Sequence, residues 1–291
     1  MRYTSIRGLM EGVFGAVWHM KETLPAVEWN YADDGLFSDD FSGSLADDKQ
    51  LRLDMRAKVT EAIVKELPID ADKYPPPMSP DSYNFGKQVS RDARLLLIAD
   101  KFNQEEAKQT LLKKVETDIV DWLEGTNVDH FVYDQTFGGL ITNDGWHDEG
   151  ADYGNGYYND HHFHYGYFTY ALAAIRKFDP EFIEKHAQAC ALIMGDIGTP
   201  LFNSNTSFFN DLPVRLMFPT ARHKDWFVGH SYASGLFPME DGKSQESSSE
   251  DLNAYYALAL FSSLDEKATE GQGDSSYHQY GVSYSQRNCG Q

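Results

Sequence analysis

Apolar positions along the chain fall into a few helical stripes separated by long stretches rich in glycine and aromatic residues. Between Leu51 and Leu67, Met55, Val59, Ile63 and Leu67 recur at the spacing that lines one face of an amphipathic helix. The run Tyr74-Pro75-Pro76-Pro77 ends that unit, because consecutive prolines lack amide donors and hold the chain extended. A boundary there divides the chain into residues 1–75, 76–269 and a polar, aperiodic tail at 270–291. Past the prolines, helices are predicted from Val89 to Phe102, through Ala107, Leu111, Val115, Ile119 and Trp122, and from Phe168 to Phe178. Another follows Asp179-Pro180, an N-cap and first-turn pair. The segments Tyr133–Gly166 and Phe202–Lys243 read as connecting loops, far longer than the usual few residues, and loops of that length in a compact domain are usually functional. Paired helices with functional loops at one end predict a mainly α fold, an α/α toroid. Nearer the start, the first thirty or so residues, as in Gly12 to Trp18, mix glycine, β-branched and aromatic residues and read as strand rather than helix. Asp33-Asp34, Asp39-Asp40 and Asp47-Asp48 punctuate an acidic loop whose spacing matches no calcium-binding template.

Charge narrows the partners. Lys and Arg number 25 against 45 Asp and Glu, a net charge of -20 that repels phosphate backbones and anionic lipid. Nucleic acid and membrane surfaces are therefore not expected partners, whereas a neutral polymer meets no such penalty. Cys190 and Cys289 are too few for a disulfide framework and wrongly spaced for a thiolate zinc site. Residues Met1 to Arg7 lack the apolar core of a signal peptide, no later run is long enough to span a membrane, and the compartment stays open.

Two islands carry candidate chemistry. Tyr157-Tyr158-Asn159-Asp160-His161-His162-Phe163-His164-Tyr165-Gly166-Tyr167 packs one carboxylate, three imidazoles and four phenols together. The second, Gly242 to Asn253, holds Glu246 and Glu250 and runs into the apolar Ala254 to Leu260. Its serines supply N-caps, and the two glutamates share a face if the helix starts early enough. Glycosidic hydrolysis needs one carboxyl group that stays protonated and one that stays ionised, and Asp160 with Glu246 and Glu250 supplies that set. A metal centre is the competing chemistry, since His161, His162 and His164 beside these carboxylates are ligand types for zinc or iron. Against it stand the absence of an HExxH motif and the opposite directions imposed on consecutive histidines. Walker, GxGxxG and GxSxG motifs are missing, so no nucleotide or other cofactor is expected.

At this point the islands, as YNDHHFHYGY and DGKSQESSSEDLNAYYALAL, resemble signature segments of glycoside hydrolase family 81, the endo-β-1,3-glucanases. Asp81 to Lys87 and Phe131 to Leu140 also resemble family segments, so the likeness runs from about Ile6 to about Leu260. It implies an (α/α)6 barrel catalytic domain preceded by a small α/β domain, single-displacement inverting hydrolysis of β-1,3-glucan and no cofactor. Carried over, Asp160 is the general acid and Glu250 the general base, with Glu246 as a partner that exchanges roles with it. Tyr133, Asp134, His164, Asp225, Trp226, His230 and Lys243 are candidates for lining the glucan cleft. Two departures are expected to matter: the family's N-terminal β-sandwich is missing, and the chain stops about forty residues after Glu250, leaving the toroid incomplete. A shortened, catalytically inactive glucan-binding relative is the alternative function. The resemblance implies an extracellular or cell-wall setting, and neither chain-length preference nor oligomeric state follows from it.

Overall fold

A computed structural model describes residues 2–5, 8–12, 14–15, 49–67, 78–199, 217–225, 228–240 and 242–268. The acidic loop at 33–48, the three prolines, Trp226, Cys289 and the tail at 270–291 lie outside the described residues. An antiparallel hairpin, β1 (Arg2–Ser5) and β2 (Gly8–Glu11), pairs Arg2 with Glu11. The strand character expected of the first thirty or so residues is realised in this hairpin, while Gly12, Phe14 and Gly15 are not in a strand. Helix α1 (Lys49–Glu66) forms where the four-residue stripe predicts it, with Ile63 buried and Val59 and Leu67 packed on the core.

The body of the domain is helical. Helix α2 (Ser82–Lys101) is capped by Asp81, whose carboxylate accepts the Asn84 amide at 2.7 Å. After three linking residues α3 (Glu105–Glu124) returns, burying Ala107, Leu111, Val115, Ile119 and Trp122, the predicted stripe, and ending at Gly125 in left-handed backbone with φ 68°. The stretch read as one long loop instead holds the hairpin β3 (Phe131–Asp134) and β4 (Gly139–Thr142), the short helices α4 (Asn143–His147) and α5 (Ala151–Gly154), and a 3-10 turn at Asn155–Tyr157. Helix α6 (His161–Phe178) follows, then α7 (Pro180–Lys185), capped by Asp179 as predicted, α8 (Ala187–Ile197) and finally α9 (Ser248–Ala268).

Both α2 and α6 start seven residues earlier than the apolar pattern predicts. Their first turns are largely polar, with Ser82 buried on α2 and three buried histidines on α6, so a hydrophobic stripe does not mark them. Helix α9, in contrast, starts too late for Glu246 and Glu250 to share its face: Glu246 precedes it in left-handed backbone at φ 60°.

Helix α6 is the centre of the packing, with α2 on one side and α9 on the other. Glycine makes both crossings close. A Cβ on Gly166 would sit 2.7 Å from Ala254 Cα, and one on Gly86 would sit 3.0 Å from Tyr167 Cβ. The N-terminal turns of α2, α6 and α9 are thereby drawn together, and the candidate chemistry lies on those turns. No helix among the described residues is long and apolar enough to cross a membrane.

Candidate active site

Asp160 immediately precedes α6 in left-handed backbone at φ 59°. Its amide donates to Ala233 O at 2.9 Å, while its carbonyl accepts the amides of Phe163 and His164 at 2.8 and 3.0 Å. Those bonds tie down the backbone and leave the carboxyl group to itself: the residue is 9% exposed, and Oδ1 is buried with no hydrogen-bond partner among the described residues. Burial without a donor disfavours the ionised form, and the charges of Glu246 and Glu250 disfavour it further. Together they push the carboxyl up to about 7.

Glu250 is placed very differently. It stands in the first turn of α9, with its amide on Ser247 Oγ at 3.3 Å. Ser247-Ser248-Ser249-Glu250 has the form of a capping box, yet the glutamate does not fold back onto its own helix. Its Oε1 instead accepts the phenols of Tyr83, from α2, at 2.9 Å and Tyr167, from α6, at 2.8 Å. The other carboxylate oxygen takes no hydrogen bond among the described residues, which leaves it able to hold a water. Lys87 Nζ donates to Tyr83 Oη at 3.2 Å and keeps positive charge near the pair. A cavity of about 350 Å³ opens beside Glu250, walled by Arg94, Tyr167, Asn253 and Tyr256. Glu246 is exposed on the loop before α9 and acts on Asp160 through its charge.

The three imidazoles of the island diverge. His161 faces acceptors on both nitrogens, Asp196 Oδ2 at 2.7 Å and Asn155 O at 2.8 Å. Burial alone would raise Asp196, but Arg222 at 2.9 Å, His161 and the Leu140 amide outweigh it and leave the carboxylate lowered. His162 meets Ser231 Oγ at 3.0 Å and stacks on His223, ring centroids 4.2 Å apart. His164 meets Ser82 Oγ at 2.9 Å and stacks on Tyr83. Burial holds His162, His164 and His223 well below the usual histidine range, with mutual repulsion adding to it. Among the described residues no group of three or more His, Cys, Asp or Glu side chains is arranged to hold a metal ion.

The remaining sequence-derived candidates are dispersed. Tyr133 Oη donates to Met217 O at 2.5 Å, and Asp134 is buried, accepting Tyr158 Oη at 2.9 Å and the Thr136 amide at 2.7 Å. Asp225 caps the Val228 amide at 3.1 Å, and His230 Nδ1 lies 2.7 Å from Ser231 O. Lys243 is exposed, with Nζ on Gly235 O at 2.9 Å. Tyr167 is one of the island's four phenols, whereas Tyr83, Ser82 and Asp152 are not among the sequence-derived candidates. Asp81 three residues before Asn84 is a capping signal that would have started α2 at Ser82 and put Tyr83 in its first turn. No local signal reports that Tyr83 and Glu250 meet across 167 residues.

These features define a mainly helical domain of the toroid class, with a desolvated aspartate just before one helix that feels the charges of Glu250, in the first turn of another, and of Glu246, on the loop before it. The chain belongs to glycosyl hydrolase family 81: residues 50–275 match the model of that family's C-terminal domain. It is similar to a glucan endo-1,3-β-D-glucosidase of Glycine max, 32% identical over 263 residues, covering 89% of this chain and 35% of the relative. It is also similar to glucan endo-1,3-β-D-glucosidase 2 of Saccharomyces cerevisiae, 30% identical, covering 89% of this chain and 31% of the relative. A solved glycoside hydrolase family 81 structure from Clostridium thermocellum superposes with a TM-score of 0.61 at 30% identity, covering 80% of this chain and 29% of that one. The chain thus spans about a third of the length of these two relatives.

Proposed function

We propose that this chain is the catalytic part of an endo-β-1,3-glucanase that hydrolyses β-1,3-glucan by single displacement, with inversion at the anomeric carbon. The observation that carries the reading is Asp160: burial and the charges of two glutamates hold its carboxyl up to about 7, so it keeps a proton to give at neutral pH. Asp160 protonates the glycosidic oxygen as the bond to the anomeric carbon breaks. Glu250, held by two phenols with one oxygen open, removes a proton from the attacking water on the other face of the sugar. Glu246 contributes by raising the proton affinity of Asp160. An inverting pair stands about 6.5–9.5 Å apart, leaving room for that water. The glucan endo-1,3-β-D-glucosidases of Glycine max and Saccharomyces cerevisiae to which this chain is similar support the substrate class.

The test is proton NMR of laminarin digestion. Inversion releases the α-anomer first, and initial release of the β-anomer would overturn the mechanism. Binding to insoluble β-1,3-glucan without reducing-sugar release would instead make the chain a glucan-binding relative. Because carboxyl groups carry both proton transfers, hydrolysis is expected to survive exhaustive chelation with EDTA.

A further inference from the structure

We propose that Asp152, acting through Ser82, is a positioning residue that fixes the tautomer of His164 and seats it against Tyr83, the phenol that holds Glu250. The proposal rests on the reading of Glu250 as the base.

Asp152 and Tyr153 are successive non-glycine residues in left-handed backbone, at φ 48° and 62°. Such backbone is strained for L-residues, so two in succession persist only where the surroundings over-determine them. The strain places the Asp152 side chain, 1% exposed, at the start of α2. There Oδ2 accepts the Ser82 amide at 3.1 Å and also the Ser82 hydroxyl, while Oδ1 accepts the Tyr83 amide at 3.4 Å. Burial, the largest influence, leaves the proton affinity of this carboxyl raised, and the three donors that converge on it work against burial by favouring the ionised acceptor.

The consequence passes to His164. Ser82 has one hydroxyl proton, and Asp152 takes it, so Ser82 Oγ can only accept from His164 Nδ1 at 2.9 Å. The imidazole proton therefore sits on Nδ1, and Nε2, with no hydrogen-bond partner among the described residues, carries the lone pair. The ring so oriented stacks on Tyr83 at 4.9 Å, and Tyr83 in turn donates to Glu250 at 2.9 Å. Tyr153 closes the arrangement, its ring edge-on to Tyr83 at 5.0 Å and its hydroxyl accepting Asn84 Nδ2 at 2.9 Å. One strained pair thus supplies both the anchor behind His164 and the ring beside Tyr83.

A purely structural role, in which Asp152 only caps α2, makes a different prediction, and two readouts separate them. In histidine-15N-labelled full chain, long-range 1H–15N correlation, with the His164 signals assigned by their loss in His164→Gln, should show a neutral ring protonated on Nδ1. In Ser82→Ala and Asp152→Asn that single tautomer should be lost and kcat on laminarin should fall about tenfold with KM nearly unchanged, as a displaced supporting group does. Ser82→Thr, which keeps the hydroxyl, should restore both. If the wild-type ring is protonated on Nε2, or if Ser82→Ala stays folded and keeps full kcat, the proposal is overturned. Should Asp152→Asn fail to fold, Ser82→Ala still decides the matter. Absence of laminarin hydrolysis by the wild-type chain would sink the glucanase reading, while the tautomer measurement would still stand or fall on its own.

Discussion

Every residue of α6 from His161 to Gly166 is buried, and so is every residue from Phe168 to Ile175, yet the two runs are made of opposite materials. The second, Phe-Thr-Tyr-Ala-Leu-Ala-Ala-Ile, is mostly apolar, and removing it from water is favourable by about 25 cal/mol per Å² of apolar surface with few obligations attached. The first is chiefly imidazole and phenol, and each polar atom there needs a partner or costs free energy. Those partners come from afar: Asp196 and Asn155 for His161, Ser231 for His162, Ser82 for His164, and Asn155 with Leu140 O for Tyr165. One half of the helix holds the domain together. The other half is held by the domain, and it shapes the surroundings of Asp160.

The sharpest way to break this division is Asp160→Asn. Loss of the proton donor should lower kcat on laminarin by about 10²–10⁴-fold. The same change should raise stability at pH 8 by about 2 kcal/mol, because the folded carboxyl, at about 7 against an ordinary 3.8, opposes folding increasingly as pH rises through that interval. By the same argument kcat/KM should decline above about pH 7, where Asp160 gives up the proton it must donate. An equally active Asp160→Asn protein would end the assignment.

In the apolar half the expectation reverses. Leu172→Ala should cost about 3 kcal/mol in urea denaturation, through lost burial and the cavity left behind, with little change in kcat of the folded fraction. Gly166→Ala lies at the junction and should do some of each. Its methyl would meet Ala254, costing about 2 kcal/mol and moving α9 with Glu250, so that Tm and kcat fall together.

The smallest effect is that of acid on the polar half. His162, His164 and His223 bind protons less readily folded than at the ordinary 6.5, His223 only at about 3. Below 6.5 the unfolded chain therefore takes up more protons, so their contribution is fully present above that pH and is lost as pH falls through it. Asp160, Glu116 and Asp129, whose carboxyls are pushed up to about 7, 7 and 6, work in the opposite direction over the same interval, so the imidazole share is read by comparing the shift in urea midpoint between pH 7.5 and 5.5 in the wild type and in His223→Gln. An equal shift in the two proteins would show that the His223 ring is not held neutral.

What local chemistry dictated was readable. The stripe of α3 and the Asp179-Pro180 start of α7 formed where the sequence placed them, because helix periodicity and capping act within about four residues. The starts of α2 and α6 escaped the same reading, since Ser82, His161, His162 and His164 are polar in sequence and buried in the fold. The Ser247 cap was present in the letters, and it sets the late start of α9 that takes Glu246 off the helix.

By itself, then, the sequence determined the helical class, the acidic charge and the carboxylates from which a glycosidase pair can be drawn. The proton affinity of Asp160, the tethering of Glu250 to Tyr83 and Tyr167, and the separate errands of three neighbouring histidines were decided only by tertiary structure. Desolvation and buried hydrogen bonds depend on which groups arrive from 83 and 167 residues away, and that information is created when helices close on one another.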